Sequence, residues 1–424
     1  MSSIAQSGPP LTQPIGWRSW RMLVVAACAG MVFYLDRQSL AILKSTISEA
    51  LSLSNADFAL LITAYMVPYT ACYLFSGRLI DQWGTRRGAS LFLLGMAIAT
   101  FGCAAARNFP EMAVARGLLG VAESGISPSI ILMMTLWFPS ARRAFAATLA
   151  QGIQALAPVI APPLLVWLAL RGDWRMSFAL PALFSLLVAV LWWTSDRHPP
   201  LAPTAAARTA AAKQSLGASL RLIFTIPALR GLIIARILCD PFYFFLNYWH
   251  TGFLQEHAGW SLAEIGRWTW LPWVFVPVAN IATAAWSDRQ AKRTGDPAGA
   301  RSRTLRLLAC LAPAAAVAPF VPHSGPAVLG LITLSLFMTN CWIALSGVMV
   351  SELAPKGTIA TTIGILSALS GVTSILFNQL AGSLVDQFGY AALFVGGACL
   401  HPLAAWILWR TRGKTLVRGA ICVM

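Results

Sequence analysis

The chain has 424 residues, 57% hydrophobic and only 11% charged, with a mean hydropathy of +0.67. Soluble domains carry roughly 25% charged residues, so this composition excludes a soluble protein and implies a polytopic membrane protein. The net charge of +16 does not imply a nucleic-acid partner, because Lys and Arg sit in short loops between apolar runs rather than in one solvated patch.

A spanning helix needs about 20 apolar residues. Residues 1–16 form a polar, Pro-rich tail, expected to be disordered and cytoplasmic. Twelve apolar runs follow, at 18–39, 56–77, 88–106, 110–137, 143–170, 175–195, 229–253, 263–286, 305–322, 326–351, 358–384 and 389–410. They predict an all-α protein with twelve transmembrane helices and both termini on one side. That side takes Arg18, Arg21, Arg78, Arg86, Arg87, Arg142, Arg143 and the basic residues after 197, after 289 and after 410. The opposite side takes only Lys44, Arg107, Arg171, Arg175 and Arg267. The excess places both termini in the cytoplasm, and the bacterial inner membrane is the expected location.

Span one contains Asp36 and Arg37 in an otherwise apolar stretch. An ionisable residue at membrane depth costs about 2.5 kcal/mol or more and marks a functional site by default. Span four holds Arg116 and Glu123, seven residues and about two helical turns apart, hence on one face. Gly120 and Gly125 beside Glu123 allow close helix packing. A buried carboxylate next to a cation can hold or release a proton. Arg37 is the best anion binder, since its guanidinium takes a carboxylate in a two-pronged fork. On a helix Asp36 points about 100° away from it, so the two can face different partners.

Between spans six and seven the Ala/Pro-rich, basic stretch at 197–228 reads as a cytoplasmic linker. It separates an N-terminal six-helix half, 17–196, from a C-terminal half, 229–412, with a cytoplasmic tail at 413–424. An internal repeat supports the division. After span two comes Gly77-x3-Asp81-x4-Arg86-Arg87, and after span eight comes Ala284-x3-Asp288-Arg289-x3-Arg293. Gly77 is expected to let two helices approach closely. Asp81 sits near a helix C-terminus, where the dipole disfavours a carboxylate, so a latch to a neighbouring cation or helix is expected, made in one conformation and broken in another.

These loops resemble the signature of the major facilitator superfamily over nearly the whole chain, with Gln82 and Thr85 standing where bases are usual. Asp36-Arg37-x-x-Leu40, Arg116-x6-Glu123, Trp137-Phe138-Pro139-x3-Arg143 and the run from Asp240 to Trp249 are similar to the anion:cation symporter family and its hexuronate and sugar-acid branch. The resemblance implies a proton-coupled importer of a small organic anion. It makes Asp36 and Glu123 the proton carriers, with Arg116 as charge partner, and Arg37 the substrate clamp. It also places Tyr69 on the substrate and a polar amide at either Gln151 or Gln154. In the second half the polar candidates are Asn247, Tyr248, Asn340, Trp342 and Asn378. The last helix, with His401, is placed away from the cavity.

The eight cysteines lie mostly within apolar runs without metal spacing, and there is no P-loop or nucleophile elbow. Neither an enzyme nor an ATP-driven pump is expected, and no cofactor. The expected partners are the organic anion, protons and the bilayer, with the chain a monomer. Proton-coupled efflux is the alternative, although Ala157-Pro158 and Ala161-Pro162-Pro163 replace the glycine-rich run usual in span five of such proteins. A transporter-like sensor is a further alternative, but the chain has no long cytoplasmic output segment.

Overall fold

The computed structural model describes residues 16–197, 199–200, 225–321, 325–354 and 359–421. All but the last residue of the expected tail at 1–16 and most of the expected linker lie outside them. The last helix runs past the expected start of the C-terminal tail to Ile421.

Among the described residues every element is helical. The first group comprises α1 (Trp17–Ile42), α2 (Lys44–Ala50), α3 (Asn55–Ala105), α4 (Phe109–Glu123), α5 (Ile126–Trp137), α6 (Ser140–Gln154), α7 (Ala157–Arg171) and α8 (Met176–Ser195). The second comprises α9 (Pro227–Glu256), α10 (Leu262–Trp268), α11 (Leu271–Thr294), α12 (Pro297–Ala309), α13 (Ala312–Val317), α14 (Gly325–Leu353), α15 (Ile359–Phe388) and α16 (Ala391–Ile421). Nine helices or helix pairs are long and apolar enough to cross a membrane, and a tenth arises if α2 and the start of α3, bent by 109°, count as one broken span. The other two expected spans fall on α9 and α11. Arg230, Arg236, Asp240 and Glu256 interrupt the first, and the second ends in the polar run from Ser287 to Thr294. Large apolar residues such as Ile98, Val114, Ile131, Ile281 and Leu376 are exposed on the outer surface, as a lipid-facing belt requires.

Local signals set the boundaries. Ser54 caps α3 in a reciprocal pair with Asp57. Gly84 interrupts the α3 range at φ 75° and ψ 161°, a backbone conformation open to glycine at little cost, so two helices, corresponding to expected spans two and three, join there without a longer loop. Asn108 caps α4 through the Glu111 N–H, with Pro110 in the first turn. Ser261 and Glu264 repeat the capping box at α10.

The two groups of helices meet mainly at one end, opposite the end that carries Trp17 and Ile421. There Lys44 is paired with Glu256 and donates to Asn55 Oδ1 at 2.5 Å. Asp386 accepts from Asn55 N and Nδ2 and from Ala56 N at 3.2, 2.9 and 2.9 Å. Thr63 donates to Gln379 at 3.0 Å. Glycines permit the approach: a side chain at Gly382 would run into the backbone of Asn55 and Ala56, and one at Gly252 into the Lys44 stem.

Candidate functional site

Between the two groups lies a cavity of about 470 Å³, lined by Arg37, Tyr65 and Tyr69 from the first group and by Arg236, Asp240 and Tyr248, among others, from the second. That volume suits a small ligand of one sugar ring or similar size.

The floor of the site is built on α1, α3 and α4. A side chain at Gly120 would collide with the Tyr65 carbonyl and lie 3.1 Å from Tyr69 N, so glycine there is what lets α4 close on α3. The approach brings Tyr65 to Glu123, and the Tyr65 hydroxyl donates a hydrogen bond to Glu123 Oε2. Arg37 Nε donates to the Tyr65 hydroxyl at 2.7 Å and lies 3.3 Å from Glu123 Oε2. The Arg37 guanidinium is stacked among rings, 4.0 Å from the centre of Phe33 and 4.8 Å from that of Tyr69. Such contacts hold a cation in place. Its side chain remains 21% exposed, whereas Glu123 is sealed at 0%.

Asp36 turns the other way. It is wholly buried, and neither of its carboxylate oxygens accepts a hydrogen bond. Glu123, Arg116 and Thr100 are the polar groups that act on it. Arg116 is equally buried, and none of its guanidinium nitrogens has a hydrogen-bond partner. Its contact is with the face of the Tyr65 ring, 4.7 Å from the centre. Arg116 makes no ion pair with Glu123, and acts on Glu123 and Asp36 through its charge from a distance. Glu123 takes Arg37 as its ionic partner.

The remaining candidates divide. Tyr69 and Tyr248 line the cavity, and Tyr69 stacks on Tyr65 at 5.7 Å. Gln154 packs on Gly30 of α1, Gln151 is exposed, and neither lines the cavity. Asn247 and Asn340 each donate to a carbonyl one turn back in their own helices, Tyr243 and Leu336, at 2.8 Å. Trp342 is buried away from the cavity, edge-on to His401 at 5.2 Å. Asn378 ties the groups together, accepting from Trp249 Nε1 at 2.9 Å and donating to the Ala59 carbonyl at 3.1 Å. Polar residues on largely apolar helices satisfy themselves locally or across helix contacts, and sequence alone does not say which face meets the cavity.

At the end carrying the termini the expected latch is open. Gly77 faces open space, and Asp81 and Arg87 are exposed. Among the described residues neither of these charges makes an ion pair. Arg86 turns back within its own group, donating to the Trp193 carbonyl at 2.9 Å. In the second copy Asp288 is paired with Arg301 at 2.5 Å, which also reaches Glu352 at 3.3 Å, while Arg289 is exposed. Since the two groups meet at the opposite end, these loops have nothing across the gap to hold.

Sequence reasoning passed over Tyr65 and Tyr243, both on the cavity wall. The signal for Tyr65 was present: Tyr65, Tyr69 and Tyr73 recur every four residues, which makes one aromatic stripe on a helix face.

A model of the Major Facilitator Superfamily matches residues 26–345, most of the chain. The chain belongs to the Major Facilitator Superfamily. This superfamily member is a multi-pass membrane transporter and not an enzyme. It is 26% identical over 416 residues to a hexuronate transporter of Escherichia coli (strain K12), covering 92% of this chain and 93% of that protein. It is 27% identical over 273 residues to a galacturonate transporter of Dickeya chrysanthemi, covering 62% and 79%. Among solved structures, a bacterial homologue of the human lysosomal transporter Spinster, in an inward-facing and occupied conformation, superposes with a TM-score of 0.74 at 17% identity, covering 96% and 98%. A D-xylose–proton symporter does so with a TM-score of 0.72 at 17% identity, covering 93% and 99%. At such identities these structures speak for the fold alone.

Proposed function

We propose that this protein imports a sugar acid, such as a hexuronate or an aldonate, by proton symport across the bacterial inner membrane. The observation that carries the reading is the Arg37–Tyr65–Glu123 cluster on the wall of the central cavity, with Asp36 buried behind it. The relatives named hexuronate and galacturonate transporters support the substrate class.

Arg37 offers the unused arms of its guanidinium to the substrate carboxylate. Glu123 competes for the same cation. Protonating Glu123 removes that competition and frees Arg37, so proton and anion bind cooperatively. Asp36 accepts no close hydrogen bond, and a carboxylate buried that way carries a heavy desolvation cost. It is the second group that takes a proton on one side of the membrane and gives it up on the other. With the termini cytoplasmic, the end closed by Lys44–Glu256 and Asp386 is periplasmic, and the present conformation faces inward. Alternating access then requires that end to open while the other closes about the same site.

The test is uptake into proteoliposomes. The wild-type protein should accumulate a hexuronate or aldonate only when an inward proton gradient is imposed. Asp36→Asn and Glu123→Gln should each abolish accumulation while retaining substrate binding or counterflow. Normal accumulation by both variants would remove the proton assignment, and release of substrate driven by the same gradient would favour efflux.

A further inference from the structure

The second group of helices contributes its own ion pair to the same cavity. Arg236 and Asp240 of α9 both line it. Arg236 Nε donates to Asp240 Oδ1 and Oδ2 at 2.6 and 2.8 Å, and its Nη2 lies 2.6 Å from Oδ2. Nη1 donates to Ser346 Oγ of α14 at 3.1 Å. The side chains are 10% and 1% exposed. Two residues one turn apart can pair for stability alone, but a buried pair is a poor stabiliser because both ions lose their hydration. Here the pair sits on the wall of a largely apolar cavity, with guanidinium N–H groups and carboxylate lone pairs still unused.

We propose that Arg236 and Asp240, with buried Ser346 bracing Arg236 from behind, form the subsite for the hydroxyl-bearing end of the substrate, and that this subsite selects polyhydroxylated monocarboxylates over dicarboxylates. The proposal rests on the reading of the protein as a sugar-acid transporter. A neutralised pair presents donors and acceptors side by side. A hydroxyl group both donates and accepts, so neighbouring hydroxyls of a sugar acid can give to Asp240 and take from Arg236 together. A second carboxylate has no proton to give and meets the charge of Asp240. An alkyl chain leaves the pair without partners. Arg37 thus fixes one end of the ligand by charge, and the α9 pair reads the other by hydrogen bonding. A site built to hydrogen-bond a hydroxyl rejects an analogue lacking it far more strongly than an apolar pocket could.

Binding to the purified full-length protein, by calorimetry or thermal shift, tests this with four ligands: a hexuronate, an aldonate, the aldarate of equal carbon number, and an aliphatic monocarboxylate without hydroxyls. The wild-type protein should bind the first two at least about tenfold more tightly than the others. Asp240→Asn should weaken the hexuronate and shrink the discrimination against the aldarate, because the carboxamide no longer repels it. If stranding Arg236 prevents that variant from folding, the double variant Arg236→Gln/Asp240→Asn replaces it. It should weaken the hexuronate about tenfold or more relative to the hydroxyl-free acid. Equal wild-type affinity for aldarate and hexuronate overturns the proposal, as does a uniform loss across all four ligands in every variant. A wild-type protein that binds none of the four overturns the sugar-acid reading, and this subsite with it.

Discussion

Tyr65 is the hinge of the site at the residue scale. Its hydroxyl accepts from Arg37 and donates to Glu123, and Arg116 rests on the face of its ring. Tyr65→Phe keeps the ring and removes both hydrogen bonds, leaving Glu123 with Arg37 alone, since Oε1 already has no partner. A buried group stranded in this way costs about 1–3 kcal/mol, so substrate affinity should fall by about 5- to 100-fold while the protein keeps its fold. Equilibrium binding in detergent checks it, and unchanged affinity would show that the hydroxyl plays no part in holding Arg37. Asp36, Arg37 and Glu123 stood out in the sequence because a charge in an apolar run has few structural explanations. The contacts among them did not, because the Arg116–Glu123 spacing gave a shared face but not the tyrosine from another helix that meets both of them. Asn340, Trp342 and Asn378 were legible as polar residues at membrane depth and no further. Each lies on a helix rich in apolar residues on every side, so no periodicity tells its cavity face from its packing face.

At the scale of the element, composition gave the helices and glycine gave their breaks and approaches. Capping boxes at Ser54 and Ser261 mark starts that can be read by eye. The kink at Gly84 falls between the two apolar runs and divides them into two helices, and its positive φ lets the chain change direction there without a loop. Gly84→Ala should cost about 1–2 kcal/mol from the left-handed backbone alone, seen as a lower melting temperature with substrate affinity unchanged. Gly120 is the opposite case. Its backbone conformation is ordinary, but the space beside it is filled by the Tyr65 carbonyl. Gly120→Val must therefore push α4 off α3 and carry Glu123 away from Tyr65 and Arg37. Overpacking of this kind costs about 1–3 kcal/mol, and binding should suffer as well as stability. A variant that melts earlier yet binds normally would detach the site from this helix contact.

For the whole molecule, the closed end is the structure that must come apart. Lys44 of α2 is almost completely buried, with its ammonium group 5.2 Å from the centre of the Trp249 ring and 5.6 Å from that of Phe58. It reaches across the cavity's closed end to Glu256 of α9, where Gly252 makes room for its stem. Burying one ammonium this deeply is worthwhile only while its partners stay in place. Separating the two groups of helices costs that pairing together with the Asp386 and Gln379 hydrogen bonds. Lys44→Met keeps the apolar stem, removes the charge and leaves Glu256, already 37% exposed, to water. The closed end should then open more often. Each 1.4 kcal/mol removed from the closed state shifts the ratio of the two states by about tenfold. In a background with the native cysteines replaced, Thr63→Cys at the same interface should be labelled by an impermeant maleimide several-fold faster when Lys44 is Met. The charge pair is then a lock whose strength sets how often the site is exposed on that side, and accumulation should slow because the return to the closed state becomes the harder step. Equal labelling rates with and without Lys44 would mean that the Asp386 and Asn378 hydrogen bonds hold this end unaided, and that the buried ammonium serves packing rather than gating.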